Sequence, residues 1–413
     1  MKEEYNILIQ IEMEVAAALI LGTVLLVFTL GKSPVFRLDR AGVSIVGAVA
    51  MLGLGILSFD EAVKTVDYRT LAVLFSMMVL VANLKIAGFF EFLGQLVLSK
   101  VHSKRVLLMV IIVLSGSLSA VAINDIICLL LTPVVILICR KGSCDPLPHL
   151  LGLAMASNIG SAATFLGNPQ NILIGSLSKL PFMAYFKVAL PIVCLGLVLT
   201  YLFLAVSYKK RLRGSLIVVP LDKPYVHTYL LVKTVLTLCL VLGMYIGGYD
   251  IVLTASLGAA FLLITRRIKP NKIYTSIDFN LLVIFIGLFV IIGGVKASGL
   301  LAQLQNWLPV AQMERLDFFA ILSIVLSNLV SNVPAVLLLQ YYIPLENAGQ
   351  KWQALALFST FAGNLTIFGS IANLIVVEIA QKHHIEITAR EYFRVGFPLT
   401  VFLTFLCFIW LDV

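Results

Sequence analysis

The sequence predicts an all-α polytopic membrane protein, and three observations carry that prediction. Of its 413 residues, 60% are hydrophobic and 12% charged, whereas a soluble domain carries roughly 25% charged residues. Mean hydropathy is +1.04. Apolar runs of about 18 or more residues, each long enough to cross about 30 Å of hydrocarbon, recur from Val15 to Trp410. These runs are continuous rather than alternating, which excludes a transmembrane β-barrel and any nucleic-acid-binding domain. The formal net charge of +9 therefore calls for a membrane explanation.

Met1 to Glu14 is acidic and lacks the basic flank and cleavage site of a signal peptide, so the first run is expected to stay as a helix. Spans are expected at about 15–30, 42–59, 70–87, 150–177 (interrupted), 186–207, 228–246, 250–265, 281–296, 354–377 (interrupted) and 395–412. Two further stretches, 106–139 and 318–344, each hold two apolar arms around a polar centre and read as hairpins that enter and leave on one side. The six cysteines form no CxxC pair and no Cys/His spacing suited to zinc, so they read as small buried fillers and no metal site is expected.

With that arrangement, loops 31–40, 85–105, 140–149, 208–225, 266–272 and 378–394 hold 21 of the 30 Lys and Arg, and the opposite loops hold 8. The positive-inside rule then places the basic set, with Lys209, Lys210, Arg211 and Arg213, in the cytoplasm of an inner-membrane protein whose termini are both periplasmic. A lipid-binding patch at Arg266 to Lys272 is the competing reading of that stretch. Lys233, inside a span, reads as a side chain snorkelling to the cytoplasmic surface.

Asp67-Tyr68-Arg69 opens a span reaching Lys85 and Gly88, and Asp278-Phe279-Asn280 opens one reaching Lys296 and Gly299, each pair 211 residues apart. The order of polar motifs also recurs, so two inverted copies are expected, related by an axis in the membrane plane. The division that follows is an N-terminal helix and loop (1–41), a first repeat (42–178), connecting helices with a basic loop (179–249), a second repeat (250–378) and a C-terminal helix (379–413).

Gly167, Asn168, Pro169 and Asn171 interrupt one apolar stretch, preceded by Asn158 and Thr164. Gly369, Ser370 and Asn373 interrupt another, preceded by Asn364 and Thr366. Pro removes a backbone donor and Gly loosens the chain, so both helices should break, with the breaks meeting near the midplane. Half-helix N-termini there suit an anion and freed carbonyls a cation; simple kinks are the alternative. The hairpin centres carry Ser119, Asn124 and Asp125 in the first, and Ser327, Asn328, Ser331 and Asn332 in the second. Asp125 is the only acid expected deep in the apolar stretches. It should face a cavity, hold a cation or be protonated, or else serve as a helix cap. Cys128 reads as a filler rather than a soft ligand.

Asn124-Asp125 with Leu131-Thr132-Pro133, Gly167-Asn168-Pro169-Gln170-Asn171, Ser331-Asn332-Val333-Pro334 and Gly363-Asn364 with Gly369-Ser370-Ile371-Ala372-Asn373 together resemble the ion transporter superfamily. More narrowly they resemble its arsenite permeases (ArsB-like), NhaD-like sodium/proton antiporters and citrate-transporter-domain anion permeases, over about residues 15–412. The resemblance implies an inverted repeat with two re-entrant hairpins and two discontinuous helices, elevator-like secondary transport, and often a homodimer. Sodium-coupled dicarboxylate relatives carry Ser-Asn-Thr at both tips; here the tips read Ile123-Asn124-Asp125 and Ser331-Asn332-Val333. No enzyme activity and no cofactor are expected. The expected partners are the lipid bilayer and a small ion or metabolite. The leading cargo is a small inorganic oxyanion or its neutral acid, of the arsenite or antimonite type, coupled through Asp125 to H+ or, alternatively, Na+. Sodium/proton exchange, citrate or dicarboxylate transport, and a passive channel or receptor are the competing functions. No Arg or Lys is expected near the four motifs, so no basic anchor for a multivalent anion.

Overall fold

The computed structural model describes residues 2–216, 225–308, 310–344 and 348–411. Residues 217–224 of the loop 208–225, 345–347 of the loop 345–353, and the last position of the span expected at 395–412 lie outside the described residues. The first half runs α1 (Lys2–Leu30), α2 (Arg40–Gly53), α3 (Phe59–Thr65), α4 (Tyr68–Ile86), α5 (Phe89–Lys100), α6 (Lys104–Val121), α7 (Asn124–Lys141), α8 (Leu147–Ser161), α9 (Pro169–Ser178) and α10 (Phe182–Ser207). The second runs α11 (Thr228–Ile246), α12 (Ile251–Leu263), α13 (Pro270–Tyr274), α14 (Phe279–Ala297), α15 (Leu300–Trp307), α16 (Val310–Glu314), α17 (Leu316–Val330), α18 (Asn332–Leu339), α19 (Gly349–Ala362), α20 (Ile371–Lys382) and α21 (Ala389–Trp410). Helices α1, α4, α6, α10, α11, α14 and α21 are each long and apolar enough to cross a membrane. Large apolar side chains such as Leu19, Leu236 and Phe405 stand at least 60% exposed, as hydrocarbon rather than water would favour.

The recurrence seen in sequence is a recurrence of elements. Helices α2 to α5 begin 211 residues before α12 to α15, while α8 and α9 begin 202 residues before α19 and α20. The register changes at the hairpins, where α7 has 18 residues and its counterpart α18 has 8 followed by one 3-10 turn. The Asp67 and Asp278 motifs are N-caps of α4 and α14, each carboxylate accepting a backbone N–H of the first turn. Gly88 and Gly299 then turn the chain in the left-handed region, at φ +79° and +85°, where a side chain would be strained. Two stretches expected to be loops, 85–105 and 296–317, contain the short helices α5 and α15. At 12 and 8 residues they fall below the length of a span, so no apolar run announced them.

Contacts sort the loops onto two faces. On the basic face, Leu216 N–H donates to His102 O at 2.9 Å and His227 N–H to Ala87 O at 3.0 Å. There too Arg211 pairs with Asp145 at 2.9 Å, and Arg140 donates to His383 O at 2.7 Å. On the other face Arg69 pairs with Asp250, Gln10 donates to Ser298 O, and Trp410 Nε1 donates to Val188 O. Both arms of the first hairpin, α6 and α7, end in loops of the basic set, and those of the second, α17 and α18, in the other. Lys233 Nζ donates to the carbonyls of Phe261 and Ile264, closing the end of α12. The cysteines are not uniformly buried: Cys128, Cys139 and Cys407 are, Cys144 is half-buried, and Cys194 and Cys239 are exposed on apolar helices.

Candidate functional site

The breaks form where backbone chemistry favours them. Asn168 is the N-cap of α9, its Oδ1 accepting the Asn171 N–H at 2.8 Å, and Pro169 fills the first helical position, where its missing N–H costs nothing. A Cβ on Gly167 would lie 2.1 Å from the Ser161 carbonyl, so only glycine lets the chain cross back there. Ser370 caps α20 by accepting the Ala372 N–H at 3.2 Å. Freed carbonyls find side chains: Asn171 Nδ2 reaches Ser161 O and Thr164 O at 3.4 and 3.3 Å, and Asn373 Nδ2 reaches Gly363 O and Thr366 O at 2.7 and 3.2 Å. The two sets correspond position by position, 202 residues apart.

The breaks meet, and each cap bonds the opposite half. Asn158 is the hub, 2% exposed. Its Oδ1 accepts from Asn124 Nδ2 at 3.1 Å and Ser370 Oγ at 3.0 Å. Its Nδ2 donates to Asn364 Oδ1 and Asn373 Oδ1, both at 2.9 Å. Reciprocally, Asn168 Nδ2 donates to Ser161 Oγ at 2.8 Å and to Thr360 Oγ1, on α19, at 3.2 Å. Tyr185 and Tyr392, both fully buried, stand behind Asn171 and Asn373.

The first tip is tied to its break by the Asn124 N–H, which donates to Gly167 O at 2.9 Å, and Thr164 Oγ1 donates to Ala120 O on α6. Ser119 and Ser157 share a hydrogen bond of 2.9 Å beneath it. The second tip turns at Ser331 with φ +76°. Asn328 fastens that hairpin to the second break: its Nδ2 donates to Ala362 O at 2.9 Å, Thr366 Oγ1 donates to its Oδ1 at 3.4 Å, and a Cβ on Gly369 would meet that oxygen at 2.8 Å. Ser331 and Asn332 make no side-chain hydrogen bond to the Asn158 network. Asn124 Oδ1, Asn332 Oδ1 and Ser327 Oγ are buried without a partner. Such acceptors cost about 1–3 kcal/mol each when left unmade.

Asp125 points away from this network. It lines a cavity of about 410 Å³ with Asp39, Arg40, Asp278, Asn280 and Glu378. Of the roles set as alternatives from sequence, the cavity-facing one fits this position, and the caps of α7 and α20 do not involve its side chain. One expectation is corrected: a basic side chain does stand beside the first tip, in a cavity that exposed Asp278 and Glu378 also line. Arg40 is the first residue of α2, and its guanidinium also donates to Phe28 O on α1 at 2.9 Å. No local pattern could bring it to Asp125, 85 positions on. Thr360, Ser161 and Ser157 were likewise missed. Single hydroxyls and amides inside apolar helices give no signal until the facing helix is known.

A family described as citrate transporter matches residues 23–362. The silicon efflux transporter LSI3 of Oryza sativa subsp. japonica is 28% identical, covering 90% of this chain and 92% of its own. A transporter named arsB of Dictyostelium discoideum is 27% identical, covering 88% and 85%. The YdaH transporter of Alcanivorax borkumensis, described as having an unusual topology, superposes with a TM-score of 0.57 over 98% of both chains at 13% identity. That last likeness concerns the fold alone.

Proposed function

The chain belongs to the citrate transporter family, and from that premise we propose that this secondary transporter carries a small inorganic oxyanion as its neutral, hydroxyl-rich acid, exchanged against protons. The chain is a multi-pass membrane transporter and not an enzyme. The observation that carries the cargo reading is the pair of unpartnered amide oxygens, Asn124 Oδ1 and Asn332 Oδ1, one on each hairpin tip. Buried acceptors want donors. As(OH)3 and Si(OH)4 supply O–H donors on every side and carry no charge to desolvate. A fully ionised dicarboxylate supplies none. One relative is named for silicon efflux and another arsB, which accords with that class.

In this reading Asn124, Asn158, Thr164, Gly167, Asn168 and Asn171 of the first half meet Ser331, Asn332, Asn364, Thr366, Gly369, Ser370 and Asn373 of the second around the cargo. The hairpins enter from opposite faces of inverted halves, and the part bearing them moves past the remaining helices. Asp125 carries the proton, with the cavity shared with Arg40 as its route to the cytoplasm of an inner-membrane protein whose termini are periplasmic. Release of that proton when cargo binds couples the two fluxes through one carboxylate. Sodium is the alternative coupling ion.

Proteoliposomes with an imposed pH gradient and an internal pH dye test this. Arsenite, antimonite or silicic acid should dissipate the gradient, and Asp125→Asn should abolish that response in protein that elutes normally in detergent. Dissipation by sodium alone would overturn the cargo assignment. A second reading, carboxylate transport, draws on Arg40, which could attract an anion to the cavity mouth. It requires citrate or succinate to give the response and Arg40→Gln to remove it.

A further inference from the structure

At the basic-face end of the first hairpin, three ligand-type side chains converge away from the polar centre. Cys139 lies near the end of α7, Cys144 in the following loop and His149 in the first turn of α8; their two Sγ atoms and a ring nitrogen lie within 4.8 Å of one another. Cys139 and His149 are buried, 0% and 1% exposed, and Cys144 is half-buried. The main chain forms the turn unaided: Cys144 N–H donates to Cys139 O at 2.9 Å and Gly142 N–H to Ile138 O at 2.8 Å, with Ser143 at φ +50°.

The imidazole is the second observation. Its Nδ1 lies 2.9 Å from Asp145 O and its Nε2 lies 3.2 Å from Lys104 O. A neutral imidazole has one N–H, so one nitrogen meets a carbonyl with no proton between them. A metal ion beside the two thiols would take that lone pair in place of the carbonyl facing it, while the other nitrogen's N–H keeps its carbonyl and orients the ring.

We propose that Cys139, Cys144 and His149 form a three-ligand site for a soft divalent ion of the zinc group. Around tetrahedral zinc, with bonds of about 2.3 Å to sulfur and about 2.0 Å to nitrogen, ligand atoms stand about 3.5–3.8 Å apart, so the cluster need close by no more than about 1 Å. The ion displaces both thiol protons to water, keeps its oxidation state, and leaves its fourth position to water. Bound there, it fastens α7 to α8 at the base of the hairpin that carries Asn124 and Asp125. The site is independent of which cargo is carried. Its four-residue gaps match no Cys-x2-Cys pattern, which is why spacing alone did not reveal it.

The test uses the full-length protein in detergent, reduced and then freed of reductant without oxygen, titrated with Cd2+. Thiolate-to-cadmium charge-transfer absorption and equilibrium dialysis should report one ion per chain, displaced by Zn2+. Cys144→Ser, at a half-buried loop position, should abolish the band, and His149→Gln should weaken binding at least tenfold. Cys194→Ser and Cys239→Ser should change nothing. Binding that survives Cys144→Ser would overturn the proposal, as would no binding by protein with all six thiols free. Four free thiols restored to six by reductant, without metal, would show a disulfide pair instead and overturn it equally.

Discussion

Asn158→Ala removes the hub. Four hydrogen bonds of 2.9–3.1 Å disappear, leaving Asn124 Nδ2, Ser370 Oγ, Asn364 Oδ1 and Asn373 Oδ1 to find other partners. Interhelical hydrogen bonds in membranes average about 0.6 kcal/mol, and a stranded buried group costs about 1–3 kcal/mol, so the expected loss is about 2–4 kcal/mol. It lies at the low end if water from the neighbouring cavity reaches the stranded groups. Unfolding by SDS in mixed micelles, followed by helical circular dichroism, reads the loss. A double-mutant cycle with Asn373→Ala should return a coupling of about 0.6–1.7 kcal/mol, because those side chains bond directly. Transport should fall further than stability does, since the same amides position both breaks and the first tip. A loss under about 0.5 kcal/mol with zero coupling would refute a network centred on Asn158.

Other positions give separate outcomes. A Cβ on Gly160 would lie 2.1 Å from the Gly116 carbonyl. Gly160→Ala should therefore push α6 from α8 and destabilise by about 1–3 kcal/mol or more, while Gly22→Ala, with open space around it, should not. Asp250 is held below the usual carboxylate range first by the Leu253 N–H and also by Arg69, against burial, which raises it. Its contribution is therefore complete above the unfolded carboxylate value of about 3.9 and is lost as pH falls through the lower folded value. Asp250→Asn keeps a competent cap, so it should cost about 0.2–1 kcal/mol near pH 7, and that cost should shrink as pH falls through the folded value in the same SDS assay. For topology, an impermeant maleimide added to intact cells should label Tyr249→Cys and spare Lys210→Cys; the reverse pattern would invert the proposed orientation.

Much of the architecture was legible because its causes are local. Apolar runs marked the long helices, and α11 begins and ends where its run does, though α1 starts thirteen residues before its run and α21 six. Asn168-Pro169 marked a break because a cap followed by proline is a helix start wherever it occurs. Helices α5 and α15 were not legible, being too short for a span. The candidate motif residues were legible in sequence, but how the fold partitions them was not. Asn158 joins both breaks, Asn171 and Asn373 brace freed carbonyls, and Asp125 faces a separate charged cavity.

Hydropathy, charge asymmetry and backbone chemistry, all properties of neighbours along the chain, by themselves determined a helical membrane protein with two polar hairpins, two broken helices and an internal recurrence. Only the tertiary structure decided which polar groups share a partner. Asn158 meets Ser370 across 212 residues, Asn168 meets Thr360 across 192, Arg40 enters the cavity of Asp125, and His149 closes on two thiols. The reason is physical: in hydrocarbon a buried amide, hydroxyl or charge takes whatever partner the packing of helices brings within reach, and that packing is a property of the whole chain.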